Sequence, residues 1–391
     1  MSGAVPDRAQ FDFLVLGAGI AGASVGYWLA ARGRTALLER EPHPGYHSTG
    51  RSAALFSETY GPPLVRALSR ASRAFLERPP EGFAEHALLQ PRGALHVGDP
   101  SDPEAARQAF EAMRAATPAL RLLSTPQACA MVPVLRPERT GPAVLEPDAR
   151  DIDVDLLHRG FLRGIRQQGG TIACNAEVVA IERDANGWRV QAGGQAWRAA
   201  RLIDAAGAWA DRVAAMAGVA PIGLQPRRRT AFTFAPPAGL DVRGWPLAIA
   251  LDESWYFKPD AGVLLGSPAN ADPVEPHDVQ AEELDVAIAI DRIERATTLT
   301  IRRPLRVWAG LRSFVADGSP VGGPDPDAPH FCWVAAQGGY GIQTAVAMGE
   351  ACAALACGQP IPARLRDEGI DAAALSAARL RAPGACVPHG T

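Results

Sequence analysis

The stretch FDFLVLGAGIAGASVGYWLAARGRTALLE, residues 11–39, decides the fold. Its first six residues are apolar nearly throughout, which is typical of a strand buried in a parallel sheet. The glycine pattern Gly17-x-Gly19-x-x-Gly22 follows, then a helical segment over 23–32 and a second apolar strand over 35–38. The stretch therefore predicts a strand–helix–strand unit whose first turn is rich in glycine.

A membrane span or a signal peptide is the alternative interpretation of this segment, because residues 13–31 carry no charge. Four glycines, at positions 17, 19, 22 and 26, interrupt the run, and no basic cluster precedes it. The glycine spacing favours the strand–turn–helix interpretation.

The glycine pattern has a direct chemical use. A helix N-terminus presents unpaired N–H groups and the positive end of the helix dipole, and glycines let a phosphate approach closely. Glu39 stands at the end of the second strand, where a carboxylate can accept hydrogen bonds from ribose hydroxyls. The whole unit predicts dinucleotide binding, and the carboxylate disfavours a 2′-phosphate such as that of NADP.

Composition limits the class of protein. The chain has 391 residues, a net charge of −3, 47% hydrophobic and 21% charged residues. This is ordinary globular usage for about two domains, and it excludes a disordered chain or a global basic field for nucleic acid. The cysteines at 129, 174, 332, 352, 357 and 386 show no CxxC or zinc spacing, so we expect buried thiols in a reducing compartment and no metal.

The remaining pattern alternates helices and strands and then changes character. Helices are expected over 156–168, 211–217, 281–295 and 344–356, and strands over 171–174, 177–183, 187–192, 195–199, 201–204, 231–234, 254–258, 263–266 and 331–335. The short aromatic strands between 225 and 311 indicate an antiparallel sheet. We therefore expect a Rossmann-like, doubly wound α/β domain plus an α+β domain.

Two further motifs favour FAD over NAD. The loop Tyr46-His-Ser-Thr-Gly-Arg-Ser-Ala-Ala54 carries small hydroxylated residues directly after the ribose acid. Near the C-terminus, a strand ends in Gly338-Gly339-x-Gly341 and a helix begins. A helix N-terminus there can stabilise the negative charge of a reduced flavin.

Seven segments together resemble the D-amino acid oxidase-like FAD superfamily, and its bacterial D-arginine dehydrogenase branch in particular. They are GAGIAGAS, LEREP, PGYHSTGRSAA, LIDAAGAWAD, LQPRRR, AGLRSFVADG and WVAAQGGYGIQT. The resemblance implies a discontinuous FAD-binding domain over 1–88, 150–224 and 313–378. It also implies a substrate-binding domain over 89–149 and 225–312, and a C-terminal tail over 379–391.

The motifs and the resemblance imply noncovalently bound FAD. No histidine or cysteine stands near Ala53–Ala54 or Arg312–Ser313, where relatives attach the flavin covalently. The implied cofactor-binding residues are Gly17, Gly19, Ile20, Ala21, Gly22, Glu39, Arg40, His47, Ser48, Thr49, Gly50, Ser52, Ala53, Val178, Ala206, Gly207, Trp209, Arg312, Gly338, Gly339, Tyr340, Gly341, Ile342 and Gln343.

The resemblance also implies a clamp for a substrate carboxylate. Arg229 and Arg312 match two arginines of the branch, and Tyr256 matches its tyrosine. A planar guanidinium is the best partner for a planar carboxylate. Without the resemblance, Arg227–Arg229 would be interpreted as a solvated basic face and Tyr256 as an ordinary strand aromatic.

The implied side-chain pocket departs from the arginine-specific pattern. Its residues are Leu55, Ser57, Tyr60, Ala94, Leu247, Ile249, Gly310, Gly339 and Gln343. Ala94 stands where the branch has the glutamate that pairs with a guanidinium, and Leu55 replaces a histidine. Because an unpaired buried guanidinium is costly, we expect a preference for neutral or apolar side chains, unless Glu58 replaces the missing acid.

A further replacement bears on oxygen reactivity. The related sarcosine oxidase branch has a lysine in a Gly-x-Lys-x-Gly strand, and Gly262–Gly266 places Leu264 there. We therefore expect a dehydrogenase that transfers the Cα hydride of a D-amino acid to FAD. The alternatives are an oxidase of secondary or N-methyl amino acids that produces hydrogen peroxide, and a non-catalytic FAD-binding subunit.

The expected partners are a small amino acid and an electron acceptor of unknown identity, a quinone or another molecule, without nucleic acid or a transmembrane segment. We expect a cytoplasmic protein, with peripheral contact at the inner membrane face left open. The sequence does not determine the oligomeric state.

Overall fold

The computed structural model describes residues 10–114 and 117–381. Its strands are β1 (Phe11–Leu16), β2 (Thr35–Leu38), β3 (Leu55–Phe56), β4 (Leu89–Pro91), β5 (Ala94–Val97), β6 (Arg121–Leu123), β7 (Ala143–Glu146), β8 (Arg150–Ile152), β9 (Thr171–Ala173), β10 (Val178–Asp184), β11 (Gly187–Ala192), β12 (Gln195–Asp204), β13 (Gln225–Phe234), β14 (Leu247–Ala250), β15 (Tyr256–Asp260), β16 (Val263–Ser267), β17 (Asp272–Pro273), β18 (Arg306–Phe314), β19 (Val321–Pro324) and β20 (Phe331–Ala335).

The helices are α1 (Ile20–Ala30), α2 (Pro63–Glu77), α3 (Pro103–Arg114), α4 (Thr125–Met131), α5 (Val154–Gln167), α6 (Ala210–Met216), α7 (Glu283–Ala296), α8 (Gly341–Ala356), α9 (Ala363–Arg366), α10 (Ala372–Leu375) and α11 (Ala378–Arg381). Short 3₁₀ turns cover Pro137–Arg139 and Gly207–Trp209.

The first sheet has a parallel centre. Strand β1 lies between β2 and β12, β9 follows β2, and β20 pairs with the end of β12. The antiparallel strands β10 and β11 and the hairpin strand β19 extend it. Helices α1, α5 and α8 pack on one face in a large apolar core, because all of them are rich in buried apolar side chains.

The second sheet has the order β17-β13-β16-β15-β14-β5-β7-β6, with β18 paired to β13. It is antiparallel except for the β5–β14 pair. Alternate residues of β13 serve opposite faces: Phe232 and Phe234 pack with Ile293 of α7, whereas Arg229 and Ala231 lie on the other face. A third, small sheet of β3, β8 and β4 completes the fold.

The continuously apolar segments agree with the sequence prediction. The predicted bounds of β1, β2 and β20 match the structure. Asp153 caps α5, because its side chain accepts a hydrogen bond from the backbone N–H of Leu156 at 2.9 Å. Helix α1 begins at Ile20 instead of 23, directly after its N-cap Gly19. Strand β13 begins before its predicted start at 231, because arginines and a proline interrupt its apolar pattern, and β18 is not predicted as a strand at all.

The described cysteines are free thiols. Cys332 and Cys352 are buried, as predicted, whereas Cys129, Cys174 and Cys357 are only partly buried, and Cys386 lies outside the described residues. Within the two described ranges, no helix has the length and the apolar character needed to cross a membrane. The division of the chain into an FAD-binding and a substrate-binding domain stays a proposal.

Candidate active site

A deep groove follows the carboxyl ends of four parallel strands of the first sheet and reaches the second sheet. Its volume is about 500 Å³. It is lined where β1, β2, β12 and β20 end, by residues 16–17, 38–39, 205–206 and 335–336. Ligands of open α/β sheets bind at this edge, because the strand ends and the following helix N-termini meet there.

The first glycine turn forms one wall of the groove. A side chain at Gly22 would lie 1.9 Å from the carbonyl oxygen of Gly17, so glycine is needed there for close packing of α1 on the turn. The N–H of Ile20, at the N-terminus of α1, donates a 2.9 Å hydrogen bond to Oγ1 of Thr49. Backbone N–H groups and a small hydroxyl thus meet where a pyrophosphate would bind.

Glu39 lies in the groove at the end of β2 and is 7% exposed. Its carboxylate accepts hydrogen bonds from the backbone N–H groups of Ala18 at 2.9 Å and Glu41 at 3.0 Å. These bonds fix the carboxylate beside the glycine turn, in the position that suits ribose hydroxyls. Next to it, the Arg40 guanidinium stacks on Trp209 at 4.7 Å from the ring centre.

Most residues predicted to bind the cofactor line this groove. They are Gly17, Gly19, Ile20, Ala21, Glu39, Arg40, His47, Ser48, Thr49, Ser52, Ala53, Val178, Ala206, Gly207, Trp209, Arg312, Gly338, Gly339, Gly341 and Ile342. Gly22, Gly50, Tyr340 and Gln343 do not line it. Gly22 and Gly50 pack behind the wall against the backbone of Gly17 and Gly45.

The three residues predicted to clamp the substrate also line the groove. Arg229, Tyr256 and Arg312 belong to β13, β15 and β18, and the register places Arg229 opposite Gly310. They therefore share the sheet face that looks into the groove. Sequence positions up to 83 residues apart meet at one end of the groove.

The charge of these arginines is not balanced by the protein. Among the described residues, neither guanidinium has a carboxylate within 4.0 Å. Arg312 donates from Nη1 to the Tyr60 phenol at 3.1 Å, and Nε of Arg229 is buried without a partner. Burial lowers the pKa of Arg229, and the nearby Arg312 cation lowers it further. Two close, partly buried cations without an acid form a binding site for an anion.

The absence of a side chain at Gly339 leaves room for the Arg312 guanidinium. A Cβ at position 339 would lie 2.6 Å from Nη1 of Arg312. The backbone N–H of Gly338 donates to the carbonyl of Ser313 at 2.9 Å, so the glycine turn before α8 is fastened to β18. The C-terminal glycine motif therefore serves the anion site as well as the cofactor groove.

The predicted side-chain pocket residues do not all lie together, and one of them, Tyr60, contacts Arg312. Leu55, Ala94, Leu247 and Ile249 belong with Tyr256 to one small apolar cluster on the groove side of the second sheet. Ser57 and Gln343 lie beside it, joined by a 3.0 Å hydrogen bond from the Ser57 N–H to Oε1 of Gln343. Of the predicted pocket residues, only Gly310 and Gly339 line the groove itself.

The leucine at the lysine position of the Gly262–Gly266 motif faces away from this site. Leu264 packs with Phe234 and α7, whereas its neighbour Leu265 belongs to the apolar cluster with Tyr256. The residue opposite Leu265 is Lys258, the single lysine of the chain, whose Nζ donates to Asp151 at 2.7 Å. The buried ammonium group of Lys258 therefore lies on the same sheet face as Tyr256. The sequence analysis does not predict it.

Two acids near the pocket have different surroundings. Glu58 forms an ion pair with Arg73 at 2.7 Å, and burial raises the pKa of its carboxyl. Glu146, which sequence reasoning missed, is 1% exposed and lies directly opposite Ala94. A single glutamate at the end of an apolar strand gives no sequence signal, because the same pattern is common where a strand meets solvent.

Comparison with known proteins identifies the family. Residues 12–355 match the model of the DAO family, described as FAD dependent oxidoreductase. A glycine oxidase of Bacillus licheniformis is 23% identical over 373 residues, which cover 90% of this chain and 95% of the relative.

Solved structures with the same fold include glycine oxidase from Geobacillus kaustophilus, with a TM-score of 0.79, 21% identity and coverage of 90% of this chain and 96% of that one. L-α-glycerophosphate oxidase from Mycoplasma pneumoniae, solved with FAD bound, has a TM-score of 0.81, 17% identity and coverage of 90% and 95%. The cofactor is FAD, which the groove fits through its glycine turn and Glu39. The chain belongs to the DAO family of FAD-dependent oxidoreductases.

Proposed function

We propose that this flavoenzyme is a D-amino acid dehydrogenase that prefers substrates with neutral or apolar side chains. The observation that carries the proposal is the pair of arginines, Arg229 and Arg312, whose charges no described carboxylate balances. An α-carboxylate is the anion that fits two planar guanidinium groups beside a phenol.

The chemistry that FAD supplies when bound is acceptance of the substrate Cα hydride at N5. Arg229 and Arg312 hold the carboxylate from β13 and β18, and Tyr256 contacts it from β15. The family resemblance assigns the substrate amino group to the backbone of Gly310, on the strand position opposite Arg229. Three fixed contacts orient Cα, and such positioning contributes several kcal/mol to catalysis. The resulting imino acid hydrolyses in water to a 2-oxo acid and ammonia.

The side-chain preference follows from the apolar cluster. Leu55, Ala94, Leu247 and Ile249 offer no charge to a guanidinium. Glu58 already pairs with Arg73, so it is a poor replacement for the missing acid. Within the DAO family, we place the chain near the D-arginine dehydrogenase branch but without arginine specificity.

An oxidase of glycine or of secondary amino acids is the second candidate. It is favoured by Lys258, an ammonium on the same sheet face as Tyr256, and by the glycine oxidase relatives. Against it, Lys258 is already paired with Asp151 at 2.7 Å, a carboxylate that it shares with Arg92, and with Asp260 at 3.9 Å.

The carboxylate clamp can be tested with paired substrates. We expect the parent enzyme to prefer D-leucine to D-leucinamide, because the amide lacks the anion. Arg229→Met and Arg312→Met should each lower kcat/KM for D-leucine by about 100-fold, the cost of truncating one side of a buried charge pair. The kcat/KM for D-leucinamide should fall much less. Equal losses for both substrates would contradict the assignment.

A further inference from the structure

Glu146 joins the second sheet to the segment that carries Tyr60. Its Oε2 accepts hydrogen bonds from the hydroxyls of Ser57 and Thr59, both at 2.7 Å. Its Oε1 accepts from the backbone N–H of Glu58 at 3.0 Å. Three consecutive residues thus donate to one carboxylate that is itself 1% exposed.

This arrangement is unusual for a buried acid. Among the described residues, no lysine, arginine or histidine lies within 4.0 Å of Glu146, so neutral donors alone satisfy it. Burying a carboxylate without a cation costs free energy unless its hydrogen bonds are fixed. The fixed hydrogen bonds of Glu146 therefore hold the segment 57–59 in one position.

The segment leads directly to the anion site. Tyr60 is its next residue, and the Tyr60 phenol accepts the 3.1 Å hydrogen bond from Nη1 of Arg312. The Tyr60 ring also packs on Tyr340 at 4.9 Å, just before α8. On the other side of the segment, the Ser57 N–H donates to Gln343 of α8. The position of Tyr60 therefore depends on where residues 57–59 are held.

We propose that Glu146 is a positioning residue for the carboxylate clamp, acting through residues 57–59 and Tyr60 on Arg312. The role rests on the proposed function, since the clamp must bind a carboxylate. Glu146 does not touch the substrate. It sets the orientation of one guanidinium by fixing the acceptor that this guanidinium bonds.

The test measures carboxylate binding without turnover. Propionate is titrated into the holoenzyme, and the dissociation constant is read from the change in flavin absorbance. We expect Glu146→Ala to raise the propionate Kd by about ten-fold, because displacement of a positioning group weakens every contact it orients. Glu146→Gln should give an intermediate value, since its amide oxygen can still accept from both hydroxyls.

Thr59→Val keeps the test informative if Glu146→Ala does not fold. It removes one of the two hydroxyl donors to Oε2 at nearly constant size, and it should raise the propionate Kd about three-fold. Asp325→Asn is the matched control. Asp325 is another carboxylate with 1% exposure, it accepts from Trp333 at 2.9 Å, and it does not line the groove.

A merely structural role gives a different result. If the Glu146 and Thr59 variants lower Tm as Asp325→Asn does, but leave the propionate Kd within two-fold of the parent, the positioning role is overturned. If the parent itself binds no propionate, both the clamp and the positioning role are overturned. In steady state, the account predicts a raised KM for D-leucine with kcat nearly unchanged.

Discussion

The phenol oxygen of Tyr60 lies 3.1 Å from Nη1 of Arg312 and accepts its hydrogen bond. This contact joins the segment after β3 to strand β18, which lie 252 residues apart in the chain. A guanidinium has several donors but only one plane. One fixed acceptor therefore decides which of its N–H groups remain directed at a ligand.

Replacing Tyr60 with phenylalanine tests this contact. We expect Tyr60→Phe to raise KM for D-leucine about three- to ten-fold with little change in kcat, since a misoriented Arg312 weakens carboxylate binding in the ground-state and transition-state complexes alike. Steady-state kinetics measure the effect. Tyr27→Phe, in the core beside α5, is the control and should leave KM unchanged. An unaltered KM in Tyr60→Phe would show that the contact does not orient Arg312.

The side-chain preference can be changed at Ala94. A glutamate there would face Glu146 directly across the β5–β7 pair, and like charges in that position are destabilising. The substitution Ala94→Glu is therefore made in the Glu146→Gln background. We expect the ratio of kcat/KM for D-arginine to kcat/KM for D-leucine to rise at least about ten-fold. A hydrogen bond between the new carboxylate and the substrate guanidinium is strong enough for this change.

Ala94→Gln in the same background separates charge from size. It should leave the ratio near that of the parent. If Ala94→Glu does not raise this ratio, position 94 does not face the substrate side chain.

Oxygen reactivity separates the two candidate functions. Because Lys258 is paired with Asp151, we expect the substrate-reduced enzyme to react with oxygen no faster than free reduced FAD does. Rapid mixing with oxygenated buffer measures the rate. Lys258→Met should leave it unchanged. Fast oxidation that Lys258→Met slows and Lys258→Arg preserves would establish the oxidase instead.

Acid stability depends on His96 in the second sheet. Burial lowers the pKa of His96 to about 4, and its Nε2 has no hydrogen-bond partner. The unfolded chain, with a pKa near 6.5, binds the proton first as pH falls. Stability is therefore present above pH 6.5 and is lost as pH falls toward 4.

Between pH 7 and pH 5, this single group should reduce the free energy of unfolding by about 2 kcal/mol. Urea unfolding of the parent and of His96→Gln at both pH values measures the contribution. The variant should lose less stability than the parent over this interval. An equal loss would place the acid-sensitive group elsewhere, with the buried His158, whose pKa burial also lowers, as the next residue to test.

The nucleotide-binding half could be predicted from the sequence because its signals are local. Strands β1 and β2 are continuously apolar, and Gly17, Gly19 and Gly22 stand between them at fixed spacing. Each of these features depends only on residues a few positions away in the chain. The carboxylate Glu39 belongs to the same local unit.

The second sheet was harder to predict because its pairings are distant. Arg228 is buried in β13 because distant carboxylates bind its guanidinium. Asp285 of α7, 57 residues later, accepts from it at 2.9 Å, and Glu282 and Asp272 also pair with it. A run of arginines such as Arg227–Arg229 is typical of an exposed segment, so the sequence does not predict most of β13 as a strand. Arg229 and Arg312 were assigned from the family resemblance, and no local pattern would have found them.

Glu146 shows the same limit at a single residue. Its partners, Ser57 to Thr59, precede it by nearly 90 positions and lie in the segment that follows β3. Neither segment carries a motif. Only the fold brings the carboxylate and its three donors together.

The central claim is tested most directly by anaerobic reduction of the bound flavin with D-leucine, D-arginine and their L-enantiomers. The account predicts rapid loss of flavin absorbance with D-leucine, slower loss with D-arginine, and none with either L-enantiomer. Faster reduction by D-arginine would contradict the proposed pocket. Reduction by no member of the set, but by glycine or an N-methyl amino acid, would contradict the D-amino acid assignment itself.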